Sequence, residues 1–262
     1  MSNSSLLNPI LGRTSIRDFE RGKKIPDRIL KDILESGIRA PSAGNIQPRT
    51  IMVIKDQTVR DRLYELCENQ AFMKDAPIWI VPCVDLHRHL KAASLTGVEY
   101  DYKGILPYTL ALLDTALSIE NMVVAAEALG LGSVIIGSPI DQPKKVREIL
   151  GLPENCIALC VLCIGYPKKR PVASLKWDYD VIVNEDHYKE IQTEEVSKYW
   201  DQWLDNDLKR TDKERHQELK RRYAEENYGS AYSKHYTEEY VGAANRRLMD
   251  FLKEQDLLKS LT

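Results

Sequence analysis

Apolar positions set the first outline of the chain. Ile29, Leu30, Ile33, Leu34 and Ile38 recur at helical spacing after a Pro26–Asp27 start and before Pro41, which predicts a helix between the two prolines. The same periodicity predicts helices over residues 59–68 and 143–150. Residues 107–129 are apolar and Ala-rich on nearly every side, with Leu110, Leu113, Leu117, Met122, Val123 and Ala126 leaving a narrow polar edge, so that helix belongs in a core or an interface. Short apolar runs at 50–54, at 78–81 closing near Asp85, at 133–136 and at 157–164 read as strands. Four strands alternating with long helices predict a layered α+β or α/β core. From about Glu185 the composition shifts towards Lys, Glu, Asp, Tyr and Trp. Val241, Ala244, Leu248, Phe251 and Leu252 still keep helical spacing, so this stretch is expected to be an ordered appendage.

Composition narrows the function classes. A chain of 262 residues is long enough for one large domain, or one domain with an appendage. The net charge of -2 and the dispersed basic residues argue against a nucleic-acid binder. The start of the chain lacks a basic region followed by an apolar one, and no uninterrupted apolar run approaches the ~20 residues of a membrane helix, so neither export nor a membrane is expected. Five cysteines, an odd count, predict reduced thiols in the cytoplasm. Cys160 and Cys163 fall in the 157–164 run, where odd spacing sends their sulfurs to opposite faces and predicts neither a disulfide nor a shared metal. Cys83, Asp85, His87 and His89 alternate and would share one face of a continuous strand. The strand is expected to end near Asp85, so no metal site is expected. Glu99, Tyr100, Asp101 and Tyr102 read as a solvated loop placed to cover a pocket, and the Trp and Tyr residues of the appendage as packing or subunit contacts.

Two polar clusters carry the chemistry. Arg13 and Arg17 are four apart and would share a face of a starting helix with Ser15 beside them, a group suited to a phosphate dianion. Ile16 and Phe19 would then form the buried stripe of that helix. The second cluster is Ala40-Pro41-Ser42-Ala43-Gly44-Asn45-Ile46-Gln47-Pro48. Ala43 and Gly44 let a flat ligand lie against the backbone, and Asn45 and Gln47 offer carboxamide donors and acceptors of the kind a flavin's pyrimidine edge needs. No Gly-x-Gly-x-x-Gly follows a predicted strand; Gly130-x-Gly132 lacks the third glycine and lies at a helix end.

In order along the chain stand Arg13-x-Ser15-x-Arg17-x-Phe19, Ala40-Pro41-Ser42-x-x-Asn45-x-Gln47-Pro48, Asp75-Ala76-Pro77, Glu127-x-x-Gly130-Leu131-Gly132, Ile136-Gly137 and Gly165-Tyr166-Pro167. This series resembles the nitroreductase family of flavoproteins over residues 8–178. Asn69-Gln70, Asp85-x-x-Arg88-His89 and the long extension are most similar to the branch of nitroreductase A and the NADPH-dependent flavin reductases. The resemblance implies an α+β fold with a central, mainly antiparallel sheet flanked by helices, divided into a core at 8–184 and a helical C-terminal extension at 185–262 that packs on the core or on a partner subunit. It also implies a homodimer with two FMN sites at the subunit interface, and ping-pong reduction of nitroaromatics, quinones or free flavin by NAD(P)H. The chemistry would be the flavin's, with no side-chain nucleophile or acid–base pair.

Position by position, the resemblance assigns Arg13, Thr14, Ser15 and Arg17 to the N-terminal FMN motif, and Ser42, Ala43, Asn45 and Gln47 to the loop beside the ring. Gln70 matches a further FMN-contacting amide, Ile136 and Gly137 a backbone approach to the flavin, and Lys176 a basic residue from the later chain. Arg17 set near N1 and O2 would favour the negatively charged, reduced ring. The branch usually has a His at Arg13, a Lys-x-Arg pair at Ser174 and Lys176, and an Arg at Ile140, so recognition of NADPH would rest on other cations. Lys209 and Arg210 lie near a position that meets the 2′-phosphate in that branch, and otherwise read as two solvated charges on a helix face. Two other readings fit the same motifs: a different flavin chemistry, such as dehalogenation or flavin modification, and a non-catalytic FMN sensor.

Overall fold

Period-two burial organises the sheet. The structure is a computed structural model that describes residues 7–98, 103–210, 217, 221, 226–234 and 236–258. Among the described residues there are five strands: β1 (Arg49–Val53), β2 (Ile78–Asp85), β3 (Gly132–Ile136), β4 (Cys156–Ala158) and β5 (Val161–Gly165). Their order is β1-β2-β5-β3 with β4 also paired to β2, and every pairing is antiparallel. Along β2, Ile78, Ile80 and Val84 enter one apolar cluster while Trp79, Val81 and Cys83 enter another. Both faces are buried, which is why β2 and β5 read as unbroken apolar runs in the sequence.

The run expected as one strand over 157–164 is two strands, and Pro82 supplies the reason. In an antiparallel strand a residue's N–H and C=O point the same way, and the Pro82 carbonyl accepts the Leu159 N–H at 3.0 Å. Pro82 has no N–H to return, so the ladder on that side is interrupted between β4 and β5. Cys160 and Cys163 join opposite clusters, and all five cysteines are free and buried.

Helices between residues 8 and 150 flank the sheet. They are α1 (Asn8–Leu11), α2 (Asp27–Ile38), α3 (Gln57–Leu66), α4 (His87–Leu95), α5 (Ile105–Ala128), α6 (Ser138–Asp141) and α7 (Pro143–Leu150). α5 packs on α2 and reaches β1, β2 and β3. Gly37 allows the α2–α5 crossing, since a Cβ there would stand 2.7 Å from Met122 Cγ. Asn121 Nδ2 donates to the Ser36 carbonyl at 3.0 Å and Ser118 Oγ to the Gly37 carbonyl at 2.8 Å across the same contact. In length and composition α5 could cross a membrane, which the sequence reading did not anticipate. Its inner face, with Ala111, Ile119, Met122, Val123 and Ala126, is packed into the core.

Contacts divide the chain into two units, residues 1–169 with 243–262, and residues 170–242. The last helix, Glu238–Glu254, carries Phe251 and Leu252, which are 1% and 4% exposed within the first unit's core. Its Arg247 Nε donates to the Asp141 carbonyl at 2.7 Å, and Lys144 pairs with Glu254 at 2.6 Å. The second unit holds α8 (Tyr179–Ile182), α9 (Thr193–Arg210) and a short helix at Tyr228–Ser233. Trp177 stacks on Tyr199 at 3.8 Å, and Tyr228 meets both rings edge-on, so these three aromatic residues pack on one another within this unit.

Candidate functional site

The arginine segment is extended, which corrects the helix expected there. Ser15 bridges Ser133 in parallel, with the Ile16 N–H on the Ser133 carbonyl at 2.9 Å, and Phe19 bridges Pro167. Two glycines admit this segment: a Cβ on Gly132 would lie 2.3 Å from Ile16 Cγ1, and one on Gly165 would lie 2.7 Å from Phe19 Cδ1. Alternation then buries Thr14 and Ile16 and leaves Arg13, Ser15 and Arg17 on the outer side. The three donors still share a face, through a period of two in place of a helical turn. The Thr14 hydroxyl is buried without a hydrogen-bond partner among the described residues.

The end of β3 gathers further expected residues. Ile136 points into the core, so its backbone and the exposed Gly137 are what it offers, and a Cβ on Gly137 would meet nothing within 4 Å. Ile135, passed over in the sequence, faces outward at 48% exposure. Gln70 Nε2 donates to the Cys67 carbonyl at 3.1 Å, and the Cys67 thiol hydrogen-bonds with Ser138, next to Gly137.

The proline-bounded loop has an unusual backbone. Gly44, Asn45 and Gln47 all adopt left-handed φ, of 56°, 55° and 56°. For the two non-glycine residues that shape costs roughly 1–2 kcal/mol each. Ser42, expected to face the cofactor, spends its hydroxyl inside the protein. It donates to Asp114 Oδ2 at 2.5 Å and accepts the Gln47 N–H at 2.7 Å. The Ala43 N–H meets Asp114 Oδ1 at 3.2 Å. Gln47 Nε2 donates to Asn45 Oδ1 at 3.2 Å, so the exposed pair presents Asn45 Nδ2 as donor and Gln47 Oε1 as acceptor.

Sequence reasoning missed Asp114 and Arg49, at 2% and 6% exposure. Arg49 donates to the Ile38 and Ala40 carbonyls, both at 2.9 Å, and so closes the C-terminal end of α2. Burial lowers its pKa and the Asp114 charge opposes that shift. The only hint in the sequence was a lone carboxylate in an apolar stretch, and an arginine directly after Pro48.

The remaining expected residues fall on other elements. Lys176 and Lys209 are exposed in the second unit; Arg210 closes α9, its side chain outside the described atoms. Ile140 packs against the core. Cys83 and Asp85 end β2 while His87 and His89 lie on α4, so the four do not share a strand face, and no metal-holding group of three or more His, Cys, Asp or Glu exists among the described residues. Asp85 instead accepts the Arg88 N–H at 2.9 Å and bonds Thr50. Residues 99–102, expected to cover a pocket, lie outside the described residues. A cavity of about 740 Å³ within the second unit, lined by Trp177, His187, Tyr188 and Tyr228, contains none of the expected site residues.

The family model for the nitroreductase family matches residues 10–166. The chain belongs to the nitroreductase family. A NADPH-flavin oxidoreductase of Vibrio harveyi is 30% identical over 196 residues, covering 75% of this chain and 80% of the relative. An oxygen-insensitive NADPH nitroreductase of Salmonella typhimurium is 29% identical over 202 residues, 76% of this chain and 81% of that one. The solved structure of the Vibrio harveyi NADPH:FMN oxidoreductase complexed with NAD+ aligns with TM-score 0.79 at 25% identity, over 98% of this chain and 100% of that chain. The alignment thus runs along almost the whole length of both chains, and the fold is nitroreductase-like.

Proposed function

We propose that this nitroreductase is an FMN-dependent oxidoreductase that uses NAD(P)H to reduce nitroaromatics, quinones or free flavin. The observation that carries the reading is the left-handed loop, whose spare donor and acceptor on Asn45 and Gln47 match the alternating edge of a flavin ring. The donor set on the extended segment fits the rest of FMN: two guanidinium groups and a hydroxyl on one outer face suit a phosphate dianion. Gly137 leaves open space where a ring can approach backbone.

When bound, FMN supplies the two-electron relay between nicotinamide and acceptor. Arg13 and Ser15 hold the phosphate, and Arg17 offsets negative charge at the pyrimidine side. Asn45 and Gln47 fix the ring's orientation, and Gln70 and Lys176 complete the set. Lys209 and Arg210 are the cations we assign to the 2′-phosphate of NADPH.

The arginine segment and the amide loop are built on different elements, and we place them in one site as contributions of two subunits. Leu106, Leu113 and Leu117 lie on one stripe of α5 at 66%, 56% and 37% exposure, with Ile38 of α2 exposed as well, an apolar face that a second copy would cover. Five free, buried thiols suit the cytoplasm.

The test is the absorbance spectrum of the purified protein before and after anaerobic addition of NADH and then NADPH. A yellow protein that bleaches with either nicotinamide, and oxidises it steadily with menadione or a nitroaromatic, supports the reading. A colourless protein that refuses added FMN overturns it. Bound flavin that neither nicotinamide bleaches points to the sensor or to another flavin chemistry.

A further inference from the structure

Asp114 sits in the apolar middle of α5, where an ionised carboxylate is costly unless its lone pairs are filled. One short segment fills them: Ser42 Oγ donates at 2.5 Å, and the Ala43 N–H lies 3.2 and 3.3 Å from the two carboxylate oxygens. Ser42 has a single proton and gives it to Asp114, so its oxygen is left as the acceptor for the Gln47 N–H. The path from Gln47 through Ser42 to Asp114 thus grips the loop on both sides of left-handed Gly44 and Asn45. Arg49 holds the neighbouring carbonyls of Ile38 and Ala40, and its charge attracts Asp114.

We propose that Asp114 is a positioning residue for the flavin: as a carboxylate it holds residues 42–47 in the strained shape that presents the Asn45 and Gln47 amides. This rests on the assignment of that loop to the flavin ring. A loop already held in shape binds without the entropy loss of being ordered by its ligand. Asn at this position has the same shape but replaces one acceptor by an NH2, so a donor then faces either the Ala43 N–H or the Ser42 hydroxyl where an oxygen had accepted from it.

The experiment is a titration of flavin-stripped full-length protein with FMN, followed by flavin fluorescence, for the wild type, Asp114→Asn, Ser42→Ala, Ser42→Thr and the Asp114→Asn/Ser42→Ala double variant. Asp114→Asn and Ser42→Ala should each raise the FMN Kd about tenfold, and the double variant no more than the weaker-binding single, because both act on one path. Ser42→Thr, which keeps the hydroxyl, should restore near-wild-type affinity, and the visible bands of bound flavin should shift in Asp114→Asn. Wild-type affinity in Asp114→Asn overturns the proposal, as do additive singles. Should Asp114→Asn fail to fold, equal losses in Ser42→Thr and Ser42→Ala overturn it as well. A wild type that does not bind FMN overturns the flavin assignment itself, and this proposal with it.

Discussion

Arg17 stands on the outer side of an extended segment, and its usefulness depends on its neighbours alternating inward. The spacing of Arg13 and Arg17 fits a shared face under either a helical or an extended reading, and Ser15 joins that face only in the extended one, so the cluster was legible while its geometry was not. Arg17→Ala is expected to lower flavin occupancy and turnover by about tenfold or more, checked by the flavin-to-protein absorbance ratio and steady-state rates. Asp114 was illegible for a different reason: its partner Ser42 lies 72 residues away, and no local pattern marks that pairing. The thiols give a second prediction at this scale. Burial pushes the Cys67 thiol up to about 12 and the Cys160 thiol likewise to about 12, from an ordinary value of 9.0. The folded chain therefore keeps protons that the unfolded chain loses, so stability is complete below pH 9 and falls as pH rises towards 12. Each thiol adds a slope of about 1.4 kcal/mol per pH unit in that window. Urea melts between pH 7 and 11 should show the decline, and a Cys67→Ala/Cys160→Ala variant a shallower one.

Among the elements, helices came through most clearly, because α2, α5 and α7 each bury a stripe that the 3.6-residue period exposes in one dimension. Strands buried on both faces carry no alternation, and the break between β4 and β5 is set by a proline on the neighbouring strand. α4 was missed since it buries no residue and so has no apolar stripe. The docking of the arginine segment on β3 depends on Gly132, where an added methyl would collide with Ile16. Gly132→Ala is expected to cost about 1–3 kcal/mol and to weaken FMN binding in parallel, because the segment that carries the cations must shift. A denaturant midpoint unchanged from wild type, with flavin affinity intact, would remove this contact from the account.

At the scale of the whole molecule, the exposed leucines of α5 are the largest question the isolated chain raises. A Leu113→Asp/Leu117→Asp variant is expected to run as a monomer in light scattering and to lose flavin, since each site needs both subunits in the proposed arrangement. A dimeric double variant with full flavin would place the interface elsewhere. The extension illustrates how tertiary contact overrides composition: its polar character sets residues beyond 185 apart in the sequence, yet Phe251 and Leu252 return to the core of the first unit. By itself the order of residues gave a layered helix-and-strand core, the positions of the main helices and the motifs by which the chain resembles its family, and with that resemblance the α+β class, because these depend on periodicity and on residue types at short spacing. Folding decided which donors remain available. It turned Thr14 inward and committed Ser42 to Asp114, and it held the exposed Asn45 and Gln47 in left-handed backbone, through hydrogen bonds between segments that only the packed chain brings together.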